Sequence, residues 1–165
     1  MVDYDNVIDK LGLNRDLVFQ FFGIFSRLEY SLKRCLKFRK KDIAEANWDV
    51  YANSLQGKFA TVQDSEFKNA VAFLVDAPPR KQVVSDRNLD WKDTNCGEGE
   101  RDENYVLRLV KYVRNNLFHG GKYPDPSGPV EDVGRNSELI KASIVILLYC
   151  LQLSPEVQHY FEETP

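Results

Sequence analysis

Cysteine and histidine are scarce in this sequence, and no apolar run is long enough to span a bilayer. Each scarcity argues against a class of protein. The three cysteines among 165 residues, Cys35, Cys96 and Cys150, are odd in number, far apart and without C-x-x-C spacing. A disulfide framework and a zinc site are therefore not expected, and two of the three thiols lie in apolar helical runs where packing accounts for them. The longest apolar stretch, Ala142–Leu153, reads as a buried helix rather than a membrane span. The opening MVDYDNVIDK is acidic and polar, without the apolar stretch of a signal peptide. These features lead us to expect a cytoplasmic, soluble protein in a reducing compartment, with no membrane association. The charge sum of 22 basic against 25 acidic residues gives −3. Bulk electrostatics therefore does not point to nucleic acid, although a local basic face would be hidden in such a sum. No phosphate-binding loop, H-E-x-x-H, calcium loop or nucleophile elbow occurs, and no cofactor or metal is expected.

What remains is an ordinary globular composition, 43% hydrophobic and 28% charged, long enough for one domain with its own core. The dominant period is helical. Leu17, Phe21, Ile24, Leu28, Leu32 and Cys35 share one stripe, with Asn14 placed as N-cap. Asp42 and Glu45 read as a capping box for a second helix carrying Ala46, Val50 and Tyr51. A third helix is expected from Glu66 to Val75, stopped by Pro78-Pro79, and a fourth from Asn104 to Phe118, ended by Gly120-Gly121. After a Pro/Gly loop at 124–134, a fifth runs from Ser137 to Leu153, and Ser154-Pro155 starts a short sixth. Between 76 and 103 periodicity fades into an irregular excursion with no alternating strand pattern. The expected fold is all-α, a single-domain bundle of about five to six helices spanning 1–165.

Chemistry concentrates at one helix end. From Asn104 to Tyr123 there are four basic residues, Arg108, Lys111, Arg114 and Lys122, and no acidic one. Arg114, Asn115 and His119 stand within six residues just before Gly120-Gly121. One reading is purely local, since cations and histidine in a last turn complement the helix dipole and Asn and Gly end helices. The other is catalytic, since an imidazole can exchange protons near neutrality and a guanidinium can fork two phosphate oxygens.

Arg114 followed by four residues and His119, with Asn115 directly after the arginine, resembles the R-x(4–6)-H motif of HEPN domains. Phe21–Lys33 also resembles the first long helix of prokaryotic HEPN proteins. The resemblance implies a helical bundle and a metal-independent endoribonuclease, with His119 as general acid/base and Arg114 as phosphate clamp. Asn115 would orient the imidazole or donate to phosphate, while Arg108, Lys111 and Lys122 would contact RNA. It further implies a homodimer, a defence or toxin–antitoxin setting and a separate antitoxin or regulatory partner. The alternative is a non-catalytic HEPN-like module that binds RNA, nucleotide or a protein.

Geometry constrains the catalytic reading. Five residues at about 100° each put Arg114 and His119 roughly 140° apart on an ideal helix. Either the helix loosens before Gly120, or two chains build the site. Six basic residues in Lys33–Lys41 suggest a backbone-contacting patch with Phe38 as a stacking platform, or alternatively a solvated helix end. Glu29 either orients Arg114 or, one turn before Lys33, pairs with it.

Overall fold

The computed structural model describes residues 6, 9–123 and 132–163. Six α-helices and a two-stranded antiparallel hairpin are present among them. In chain order these are α1 (Arg15–Arg34), α2 (Trp48–Ser54), α3 (Ser65–Asp76), β1 (Lys81–Ser85), β2 (Asn88–Lys92), α4 (Asp102–Phe118), α5 (Val133–Gln152) and α6 (Pro155–Glu162). The 124–131 part of the expected Pro/Gly loop lies outside the described residues. No single helix among the described residues is long and apolar enough to cross a membrane.

Helix α1 forms where its periodicity places it. Asn14 Oδ1 accepts from the Leu17 amide at 3.0 Å, and Phe21, Phe25, Leu28 and Leu32 fill the buried stripe. That stripe packs on α5 and α6. Helix α5 is buried along most of its length, from Leu139 to Leu151, and also carries α3 on its surface. Arg27 ties α1 to the end of α6. Its Nε donates to the Phe161 carbonyl at 2.9 Å, and its Nη2 donates to the carbonyls of Tyr160 and Glu163, satisfying groups that end α6.

Helix α4 presents Val106, Val110, Val113 and Leu117 to the core, as its spacing predicts. Gly120, at φ +78°, takes the left-handed position after the helix. Gly121 serves a different need. A Cβ there would lie 3.1 Å from the Trp91 ring and 3.1 Å from the Asn116 carbonyl, so any larger residue would push the hairpin and the end of α4 apart by a few tenths of an ångström.

The expectation of a purely all-α fold is corrected by that hairpin, which pairs Lys81 with Lys92 through Ser85 with Asn88. It lies inside the stretch expected to be irregular. Both faces of the strands are largely open to solvent, so no period of two is impressed on the sequence. The turn residues Asp86 (φ 48°) and Arg87 (φ 67°) are both left-handed, the geometry of a two-residue hairpin turn, yet the usual Asn-Gly or Asp-Gly signature is absent.

Two smaller expectations also change. The proposed Asp42/Glu45 capping box does not form. Lys40 donates its amide to the Glu45 carbonyl, and Arg39 and Ala46 form an isolated bridge. That pairing closes a bent loop over residues 41–44, after which Asn47 caps α2 through the Val50 amide at 3.3 Å. Ser154 precedes Pro155 as expected but makes no side-chain cap. Its hydroxyl donates instead to the Tyr51 hydroxyl, which itself donates to the Cys150 carbonyl inside the core. Cys35 and Cys150 are buried, burial pushing both thiols upward, while Cys96 is exposed.

Candidate functional site

Arg114 sits one turn before the end of α4, half-buried, and opens onto a cleft of about 350 Å³ between α1, the 40–46 segment, α2 and α4. Its position is set by rings and an amide. The guanidinium carbon lies 5.5 Å from the Phe25 ring centroid and 5.6 Å from that of Phe118, while Nη1 donates to Asn115 Oδ1 at 3.0 Å. Asn115 therefore orients the arginine. Stacking on two rings leaves the guanidinium edge available to an anion, as a pairing carboxylate would not.

The cleft gathers four cations, Lys33, Lys40, Lys111 and Arg114, against two carboxylates, Glu29 and Glu45. Lys40 is paired with Glu45 at 2.6 Å. Glu29 does not pair with Lys33 but accepts from the Trp48 indole at 3.1 Å, so its charge fixes the wall of the cleft. The remaining balance is positive inside a net-acidic protein, which suits a phosphate-bearing ligand.

His119 follows α4 as its C-cap, at φ −98° and ψ 20°, exposed to solvent. Its amide still donates to the Asn115 carbonyl at 2.9 Å, so the helix does not loosen before Gly120. The imidazole is not among the groups lining the cleft that holds Arg114. Of the two ways to unite them, local unwinding is not adopted.

The expected RNA-contacting residues separate. Lys111 lies in the cleft with Arg114. Lys122 lines a different, polar cavity of about 560 Å³ beside Trp91, Arg80 and Arg135, with its ammonium held by Asn136 Oδ1 at 2.7 Å. Arg108 is engaged by the protein. It forks Glu100 at 2.6 and 2.8 Å, donates to the Asn95 carbonyl at 2.9 Å and stacks against Tyr105 and Tyr112. This bidentate pair straps the 95–100 segment onto α4.

Arg108, hydrogen-bonded to Glu100, holds that carboxyl below the ordinary carboxylate range. A depressed folded-state value contributes stability above the unfolded pKa, and that contribution is lost as pH falls through the folded value. Glu100→Gln is thus expected to flatten the loss of stability between about pH 5 and pH 3. Urea midpoints at both ends of that range check this, and parallel slopes for the two proteins would contradict it.

The basic run Lys33–Lys41 is partly neutralised. Arg34 pairs with Glu163 at 3.2 Å, and Lys37 pairs with Glu156. Phe38 is not a platform. It is buried at 3% exposure, edge-on to Tyr51, because a 3₁₀ turn after α1 (Leu36–Phe38) folds it inward. Sequence reasoning did not single out Phe25 and Trp48, which line the cleft with Arg114, or Phe22, which meets the Phe118 ring beside it. Their signal was present in the aromatic spacing of Phe22 and Phe25, but the same spacing serves an ordinary core stripe.

Compared with protein-family models, curated proteins and solved structures, the chain matches none. The arrangement of charge and rings is therefore what the function must be argued from. No group of three or more His, Cys, Asp or Glu is placed to hold a metal ion among the described residues.

Proposed function

We propose that this chain is a metal-independent endoribonuclease of HEPN type, acting as a homodimer. The observation that carries the reading is Arg114, held between two rings and Asn115 and opening on a net-cationic cleft one turn before an exposed histidine. In the proposed reaction the RNA 2′-oxygen attacks the adjacent phosphorus while a base takes its proton. The 5′-oxygen leaves with a proton from an acid, producing a 2′,3′-cyclic phosphate. His119 supplies proton transfer, and Arg114 holds the non-bridging oxygens as charge builds on them. His119 lies outside the Arg114 cleft of its own chain, so a two-fold assembly sets the histidine of one chain beside the arginine of the other, where it takes the 2′-hydroxyl proton and then returns a proton to the leaving 5′-oxygen. A defence or toxin–antitoxin setting, with a separate protein restraining the nuclease, belongs to the same proposal.

The test is RNA cleavage in excess EDTA, with end groups read by mass spectrometry. Cleavage leaving cyclic phosphate ends, lost by a factor of roughly 10²–10⁴ in His119→Ala, is expected. Equal cleavage by the two proteins overturns the assignment. The place of His119 outside the cleft favours one second reading, a non-catalytic HEPN-like module that binds RNA, nucleotide or a protein partner.

A further inference from the structure

Five planar groups touch in sequence from the core to the surface beside the cleft. Trp48 stacks on Phe25 at 5.2 Å and 27°, Arg114 lies over Phe25 and over Phe118, and Phe118 meets Phe22 at 5.6 Å and 47°. The inner members are covered, with Phe25 at 4% exposure. The outer two are open, Phe118 at 42% and Phe22 at 46%. Core packing explains the inner half and leaves the outer half unexplained, since two phenyl rings held against each other in water leave apolar area exposed.

We propose that Phe22 and Phe118 form a shelf on which an unpaired nucleobase of single-stranded RNA stacks, while its phosphate meets Arg114. The proposal rests on the nuclease reading and narrows its substrate to unpaired segments. Charge complementarity selects this occupant over an apolar one, because Arg114, Lys111 and Lys33 share the adjoining cleft. A single strand presents an aromatic face and an anionic backbone together, which matches a ring shelf next to a guanidinium. A duplex keeps its base faces stacked inside and offers only phosphates and groove edges. Phe19 is the control. It is the most exposed aromatic on the same helix, at 73%, but has no ring contact with this stack.

The test uses the full chain carrying His119→Ala, so that RNA survives. Binding of a single strand of about ten nucleotides containing 2-aminopurine is compared with a blunt duplex by anisotropy and by fluorescence quenching. Phe22→Ala, and separately Phe118→Leu, are expected to weaken single-strand binding about tenfold and abolish quenching, with duplex binding unchanged. Phe19→Ala is expected to behave as the parent. Unchanged affinity and quenching in Phe22→Ala overturn the shelf, as does a parent that binds no single strand. The shelf is also overturned if Phe19→Ala and Phe22→Ala alike convert a dimer to monomers, because the patch is then a contact between copies. Shelf-dependent binding by a chain whose His119-containing parent never cleaves refutes the nuclease alone. Cleavage indifferent to Phe22 refutes the shelf alone.

Discussion

A mixture of Arg114→Ala and His119→Ala chains, each inactive by itself, is expected to regain RNA cleavage once subunits exchange. The expectation follows from where the two side chains lie. Arg114 opens into the α1–α4 cleft, whereas His119 caps α4 outside it and stays hydrogen-bonded in helical fashion to Asn115. If the arginine of one subunit works with the histidine of the other, a mixed dimer keeps one intact pair and one pair with both members removed. Random exchange makes about half of the dimers mixed, so recovery should reach about a quarter of the parent rate. A site completed within one chain gives no recovery, because every pair then lacks one member. Cleavage by the equilibrated mixture, with exchange verified by native mass spectrometry, decides the matter. Mixed dimers without activity would rule out the two-chain site.

The largest stability effect is expected at Phe25, which belongs equally to the core and to the site. Its ring is stacked on Trp48, meets Phe21 edge-on at 5.9 Å and forms the inner support of Arg114. Truncation to alanine removes a buried aromatic and leaves a cavity that neighbouring helices cannot close. Such changes cost about 3–5 kcal/mol. For a domain of this length that corresponds to a fall in Tm of roughly 6–20 °C, measurable by thermal unfolding. Phe25→Leu should cost less, since it keeps most of the apolar contact, yet it removes the ring face beneath the guanidinium. RNA binding should therefore drop more than stability does. Undiminished binding by Phe25→Leu would show that Phe118 and Asn115 alone hold Arg114.

The helical frame was legible because burial writes a period into the sequence. Asn14 as N-cap, the stripe from Leu17 to Leu32, the Val106–Leu117 face and the Gly120 stop all have direct local causes. The hairpin was not legible, since neither Val84 nor Leu89 is buried and the turn uses Asp86-Arg87 in place of a glycine. Residues 39–46 misled for another reason. Asp42 and Glu45 have helix-cap spacing, but the Glu45 amide goes to the Ile43 carbonyl and the Glu45 carbonyl accepts from the Lys40 amide, backbone bonds that a pattern of side chains does not report. At the site, the motif located Arg114 and Asn115, and composition located Lys111. Grouping by local charge could not separate Arg108, tied to Glu100, from Lys111, or place Lys122 in another cavity. The cleft is a tertiary object. Its Glu29–Trp48 contact joins residues 19 apart, and the Arg114–Phe25 stack joins residues much farther apart.

The contacts of α1 also bear on the order of assembly. Its buried stripe is covered by α5 and α6, and Arg27 reaches carbonyls more than 130 positions later in the chain. During synthesis the first long helix thus emerges well before the surfaces that shield it. Phe21, Phe25, Leu28 and Leu32 remain open to water or to a chaperone until α5 and α6 have been made. Closure of the bundle waits on the last helix, and non-local docking of this kind is slow compared with local helix formation.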